Sequence, residues 1–193
     1  MDLVGRVKGI LLDPKAEWQV IAREPADTGA MLKGYVAILA AIPAVCGFIG
    51  TSIIGLGGYR TPFLIGIVSA IGGYVLTFVG VYVMAFVIDA LAEKFGGRKG
   101  FTNAFKIAVY APTAAWLASA FTAIPVLAVL TVLGLYTFYL FYTGLPILMK
   151  VPEDNVLGYF LSVLVCAVIV WALILFVPAM LFGNWLVPPI ASS

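Results

Sequence analysis

The residues with most capacity for chemistry fall in one run, Asp89-Ala-Leu-Ala-Glu93-Lys94-Phe95-Gly96-Gly97-Arg98-Lys99-Gly100-Phe101-Thr102-Asn103-Ala104-Phe105-Lys106. Both charge signs stand side by side here, which suits recognition of a charged partner better than turnover of a substrate. Gly96-Gly97 followed by Arg98-Lys99 is not a phosphate-binding loop, because the glycine spacing and the preceding strand are missing. A connecting loop explains much of the same stretch. Gly96-Gly97 would stop one helix, Thr102 or Asn103 would cap the next, and Phe101 and Phe105 would rest at a membrane interface. The candidate interaction residues are therefore Asp89, Glu93, Lys94, Phe95, Gly96, Gly97, Arg98, Lys99, Phe101, Asn103 and Lys106.

Other chemistry is hard to assemble. The chain has no histidine, which removes Ser-His and Cys-His catalysis, His-ligated haem and His-Glu zinc sites. Paired aspartates at depth would be needed for intramembrane proteolysis, and Asp89 is the only acid near an apolar run. A Ser-Lys dyad would need a lysine beside a buried serine. Lys33, Lys106 and Lys150 stand at the edges of apolar runs, and Ser52, Ser69, Ser119 and Ser162 carry no nucleophile motif. Cys46 and Cys166 lie in mid-run without metal spacing and read as small apolar side chains. No enzyme activity, cofactor or metal is expected.

Whatever these residues do, they must be positioned by membrane helices. Hydrophobic residues make up 63% of the chain and charged residues 10%, with a mean hydropathy of +1.12, which excludes an ordinary soluble domain. The uncharged runs are Gly34–Tyr59, Thr61–Ile88, Ile107–Met149 and Asn155–Ser193. A bilayer core takes about 20 residues per helix, so the third run should hold two spans. The fold expected is an all-α, five-transmembrane-helix bundle, a polytopic membrane protein with spans near 34–56, 62–88, 104–120, 125–149 and 156–176. Residues 1–33 form a leader and 177–193 an outer interfacial tail, broken at Pro178 and Gly183-Asn184.

Ten of the eleven basic residues lie in the leader, the second connection and the fourth, whereas the opposite side has Arg60 alone. Basic residues resist translocation, so the N-terminus is expected in the cytoplasm and the C-terminus outside. A net charge of +2 is accounted for by this asymmetry and by anionic headgroups, and implies no nucleic-acid partner.

The leader reads as two amphipathic interfacial helices. The first presents Leu3, Val4, Val7, Ile10 and Leu11 with Arg6 and Lys8 among them. The second starts at Asp13-Pro14, offers Trp18 and Ile21 to the lipid surface, and ends at Glu24-Pro25-Ala26-Asp27. Pro62 and Pro125 begin spans, whereas Pro43, Pro112 and Pro146 should bend theirs. Small residues at four-residue spacing, as in Gly66/Ala70 and Ser69/Gly73, let helices approach closely within one chain or between copies. Tyr136, Tyr139 and Tyr142 form a stripe suited to packing or lipid contact. No charge lies deep in a run, which counts against an ion-coupled transporter. An uncharged path near the bent third and fourth spans, using Thr113, Thr137 and Thr143, remains the alternative function.

The Asp89–Lys106 run continues into Val109-Tyr110-Ala111-Pro112, Leu135-Tyr-Thr-Phe-Tyr139-Leu and Gly144-Leu-Pro-Ile-Leu-Met149-Lys150-Val-Pro152. With the Asp13-Pro14…Glu17-Trp18 leader, this series resembles the bacterial branch of the Yip-domain family of membrane proteins. The resemblance implies a five-helix bundle with a cytoplasmic N-terminus. Eukaryotic members associate with Rab-type GTPases and with one another. This chain lacks the Asp-Leu-Tyr-Gly-Pro motif and the long N-terminal domain of that branch, so GTPase binding is not carried over. What the resemblance leaves is a non-enzymatic membrane organiser or accessory subunit of the bacterial inner membrane, in contact with lipid and with other membrane proteins or further copies of itself.

Overall fold

The computed structural model describes residues 2–25, 27–55 and 59–186. Every regular element among them is helical. Two short helices open the chain, α1 over Leu3–Leu12 and α2 over Pro14–Arg23. Asp13 accepts from the Ala16 amide at 3.3 Å and Pro14 fills the first turn of α2, where a missing N–H costs nothing.

A third helix, α3, runs over Thr28–Ile54. It starts earlier than the hydropathy suggests because Asp27 caps it at the Ala30 amide, 3.0 Å away. Its winding is uneven, with π turns over Leu32–Val36 and Ile49–Ile54. A break at Ala40 sits three residues before Pro43, as expected of a ring that cannot donate to the carbonyl four residues back. Pro62 then precedes α4, Phe63–Ala92, which ends in a short 3₁₀ turn over Glu93–Phe95.

The expected third span is not one helix. α5 covers Phe101–Tyr110 and α6 Thr113–Ala118, separated at Ala111-Pro112 and followed by a 3₁₀ turn over Ser119–Ala123. Pro112 supplies no amide to the turn. Beside it the Thr113 hydroxyl donates to the Tyr110 carbonyl at 2.6 Å. A 3₁₀ segment over Pro125–Leu135 leads into α7, Tyr136–Met149, which stays helical through Pro146. The last helix, α8, spans Glu153–Leu186. The expected outer tail therefore begins on this helix, and its residues 187–193 lie outside the described residues.

Four helical stretches are long and apolar enough to cross a membrane: Thr28–Ile54, Phe63–Phe95, Pro125–Met149 and Glu153–Val170. The third of the five expected spans is not among them, because the interruption at Pro112 leaves pieces of 10 and 6 residues.

The core is concentrated at one end of the bundle. Trp18, Tyr35, Phe105, Tyr159, Ile88 and Met149 are all fully buried there. At the other end, Val68, Ile71, Val75, Val126 and Val129 are exposed, as suits helices whose solvent is lipid rather than water. α1 and α2 belong to the packed end. Trp18 and Ile21 are not offered to a lipid surface, since both are fully buried. The Trp18 indole N–H donates to the Leu140 carbonyl at 3.0 Å, and the ring covers Gly144 so closely that a Cβ there would meet it at 2.8 Å. Phe105, expected at the interface, is buried as well and stacks near Tyr82 at 5.1 Å.

Candidate functional site

The run from Asp89 to Lys106 is pinned at both ends. Gly96 adopts φ 75°, the left-handed conformation glycine tolerates at a helix end. Its neighbour Gly97 donates back to the Ala92 carbonyl at 2.9 Å. From there the chain is tied to the end of α7, where the Arg98 amide donates to the Met149 carbonyl at 2.7 Å. Asn103 does not cap α5, as the sequence suggests; its side-chain amide reaches the Leu148 carbonyl at 3.1 Å. Asp89 supports the start of α5 instead, accepting from the Gly100 amide at 2.7 Å. The Asn155 side chain holds the Phe95 carbonyl at 3.2 Å, bringing α8 into the same assembly.

What this scaffold presents outward is Glu93, Lys94, Gly96, Arg98, Lys99 and Phe101, all exposed. Lys99 pairs with Glu93 at 3.0 Å, a solvent-exposed pair of small energetic weight. Phe95 turns inward to stack on Tyr159 with centroids 5.4 Å apart, and Gly97 is half-buried. Lys106 lies apart from the exposed group. It is 3% exposed and donates to the carbonyls of Ile21 and Glu24, each at 2.7 Å.

Those two carbonyls are orphan acceptors at the end of α2, so Lys106 acts as a C-terminal cap supplied from 85 residues away. Next to it Arg6, 7% exposed, donates to Glu17 at 2.5 Å and also to Glu24. Its guanidinium stands 5.5 Å from the Tyr110 ring centroid. Burial presses the Arg6 pKa down, but Glu24 and Glu17 outweigh it and hold the group above its ordinary value. Asp2, Arg6, Glu17, Glu24, Lys106 and Tyr110 line a cavity of about 440 Å³ between the leader and the bundle. Deeper in, Tyr35 and Thr113 share a hydrogen bond of 2.6 Å. This latch was not evident from composition. One local signal does exist in α1, where Arg6 shares a helical face with Leu3 and Ile10, as a cation destined for burial would.

The hydroxyls that an uncharged path would need are engaged with backbone. Thr113 bonds Tyr110, Thr143 bonds the Tyr139 carbonyl at 2.9 Å, and Thr137 accepts from the Ala115 amide at 3.0 Å. Pro43 and Pro112 coincide with helix interruptions, and Pro146 does not. The tyrosine stripe of α7 is part-exposed, and Tyr136 ties it to the end of α1 by donating to the Leu11 carbonyl at 3.1 Å.

A leader latched to α5 and α7, a pinned loop joining α4 to α5, and apolar helices around them extend over most of the chain. The family model for the Yip1 domain matches residues 8–176. The chain belongs to the Yip1 domain family. Among curated relatives, the inner membrane protein YohC of Escherichia coli strain K12 is 28% identical over 189 residues, covering 93% of this chain and 97% of YohC. YohC of Escherichia coli O6:H1 matches to the same extent. No solved structure matches. This Yip1-domain protein is therefore a membrane protein whose match begins within α1, after Arg6, and takes in Glu17, Trp18, Glu24 and Lys106 of the latch, the pinned loop and α8 as far as residue 176.

Proposed function

We propose that this Yip1-domain protein is a non-enzymatic accessory or organising subunit of the bacterial inner membrane, docking other membrane proteins or a second copy through the exposed face of the Glu93–Phe101 loop. The observation that carries this is the pinning of that loop by five bonds to α4, α7 and α8. A surface already held in shape loses little conformational entropy on binding. Lys94, Arg98 and Lys99 beside Glu93 give such a surface charge selectivity. The inner-membrane location follows the name of the relative YohC.

In this reading the chain crosses the membrane five times with its third crossing broken at Pro112. The Arg98 amide and the Met149 carbonyl meet at the charged end, so the 25-residue stretch Pro125–Met149 must return from the far side. Residues 101–123 are what carry the chain there. The Thr122 carbonyl beside Gly50, near the far end of α3, supports the same path. The clustered cations put the N-terminus inside and the C-terminus outside. Reporters fused near Gly97 should be active only inside, and those fused after Ser193 only outside; the reverse pattern rejects this orientation.

Docking is tested by replacing Arg98 and Lys99 with Ser in the full chain, expressed at native level and recovered in native nanodiscs. Membrane partners retained stoichiometrically by the wild type should be lost while insertion is unchanged. Undiminished recovery rejects the loop as the docking surface.

A further inference from the structure

Away from the packed end, α3 and α4 part to leave a groove of about 480 Å³, walled by Ala44, Gly47, Thr51, Gly66, Ala70 and Gly73. The two helices touch at Gly66, which leaves no room for a side chain beneath Ser52 and Phe48. Beyond that contact the groove is empty, since a Cβ built at Gly47 or Gly73 meets no atom within 4 Å. Three of its hydroxyls are turned to helix carbonyls. Thr51 donates to the Gly47 carbonyl at 2.8 Å, Thr77 to that of Gly73 at 3.0 Å, and Tyr74 to that of Ala37 at 3.0 Å. A lipid-facing groove walled mainly by small apolar residues suits hydrocarbon.

Next in the chain to one wall residue, Thr61, stands a cation. The Thr61 amide closes on the Thr51 carbonyl at 3.0 Å, and the residue before it is Arg60. The Arg60 Nε donates to the Ile54 carbonyl at 3.1 Å, which fixes the guanidinium; its terminal nitrogens have no hydrogen-bond partner among the described residues. Arg60 makes no ion pair among the described residues. Tyr59 beside it is 80% exposed, in the manner of aromatic residues at the headgroup level.

We propose that this groove is a binding site for an anionic phospholipid, with the lipid phosphate on the Arg60 guanidinium and one acyl chain lying along Thr51, Gly47, Ala70 and Gly73. What favours lipid over a helix from a second copy is the Arg60 guanidinium, which calls for an anion. An acyl chain is thin enough to enter, and a bidentate guanidinium–phosphate pair favours a net-negative headgroup such as phosphatidylglycerol. The inference is independent of the docking role of the loop, because the groove lies along the first half of α4, from Gly66 to Thr77, whereas the loop follows that helix's last residue.

Native mass spectrometry of the full chain in detergent, titrated with phosphatidylglycerol or phosphatidylcholine, tests it. The wild type should retain one phosphatidylglycerol in preference to phosphatidylcholine. Arg60→Gln should lower that preference about fivefold, the effect of one basic residue at a membrane surface. Gly73→Leu, which has open space to grow into, should reduce occupancy by both lipids. Thermal melting checks that each variant is folded, and Lys94→Gln serves as a charge control distant from the groove. The proposal is overturned if Arg60→Gln retains phosphatidylglycerol like the wild type, if Lys94→Gln loses as much, or if Gly73→Leu leaves occupancy unchanged. It also fails if excess inorganic phosphate displaces the lipid, which would make Arg60 a free-anion site. Specific cross-linking of two copies through Gly73→Cys would assign the groove to a dimer and overturn it as well.

Discussion

Replacing Lys106 with Met should release the leader from the bundle. The methionine keeps most of the aliphatic bulk and removes the ammonium that caps α2. Two carbonyls at 2.7 Å, those of Ile21 and Glu24, lose their donor. Hydrogen bonds to a charged donor contribute roughly 1.5–3 kcal/mol each, and relief from burying an ammonium offsets part of that loss. The net destabilisation of the docked leader is about 3 kcal/mol, or roughly a 150-fold rise in its opening equilibrium. Hydrogen exchange in nanodiscs reads this directly. Amides of α2 should exchange faster by about that factor, while those of α4 near Ala85 and Ile88, which are also fully buried, keep their protection. Protection of α2 within fivefold of wild type would refute the capping argument. Equal loss in α2 and α4 would refute the separability of the leader from the bundle.

Trp18→Phe keeps most of the buried ring but removes the donor to the Leu140 carbonyl. It should cost about 1 kcal/mol, measured as the drop in thermal midpoint of the detergent-solubilised protein against Trp18→Ala, which should cost about 3–5 kcal/mol. Gly144→Ala places a methyl 2.8 Å from the Trp18 ring and should destabilise by about 1–3 kcal/mol through overpacking. The same substitution in a Trp18→Ala background should be nearly neutral, and a double-mutant cycle checks that coupling.

Long apolar runs make up most of the four helical stretches that are long and apolar enough to cross a membrane, because hydropathy and helix length are local properties. Pro62 and Asp13-Pro14 likewise mark their helix starts, where capping acts within one turn. The third span was expected as one continuous helix because composition reports apolarity and not continuity; Pro112 is visible in the sequence, but whether it bends or breaks a helix depends on its surroundings. Here the helix breaks beside Thr113, which bonds the Tyr110 carbonyl and Tyr35, a residue 78 positions distant. Trp18, Ile21 and Lys106 were misplaced for the same reason. Trp18 and Lys106 have amphipathic side chains that suit an interface and Ile21 shares the apolar face of α2 with Trp18, whereas their burial depends on Leu140, Gly144 and the end of α2. The exposed loop cations were readable because membrane topology alone sets them apart, whereas the pinning by Met149, Leu148 and Asn155 was not.

The bond between Trp18 and Leu140 bridges 122 positions, and it orders events during synthesis. α2 leaves the ribosome before its partners on α5 and α7, which follow about a hundred residues later. At the usual pace of translation Trp18 and Ile21 spend several seconds without them. Lys106, Leu140 and Gly144 can close over α2 only once α7 has been made, so an early segment waits for a late one.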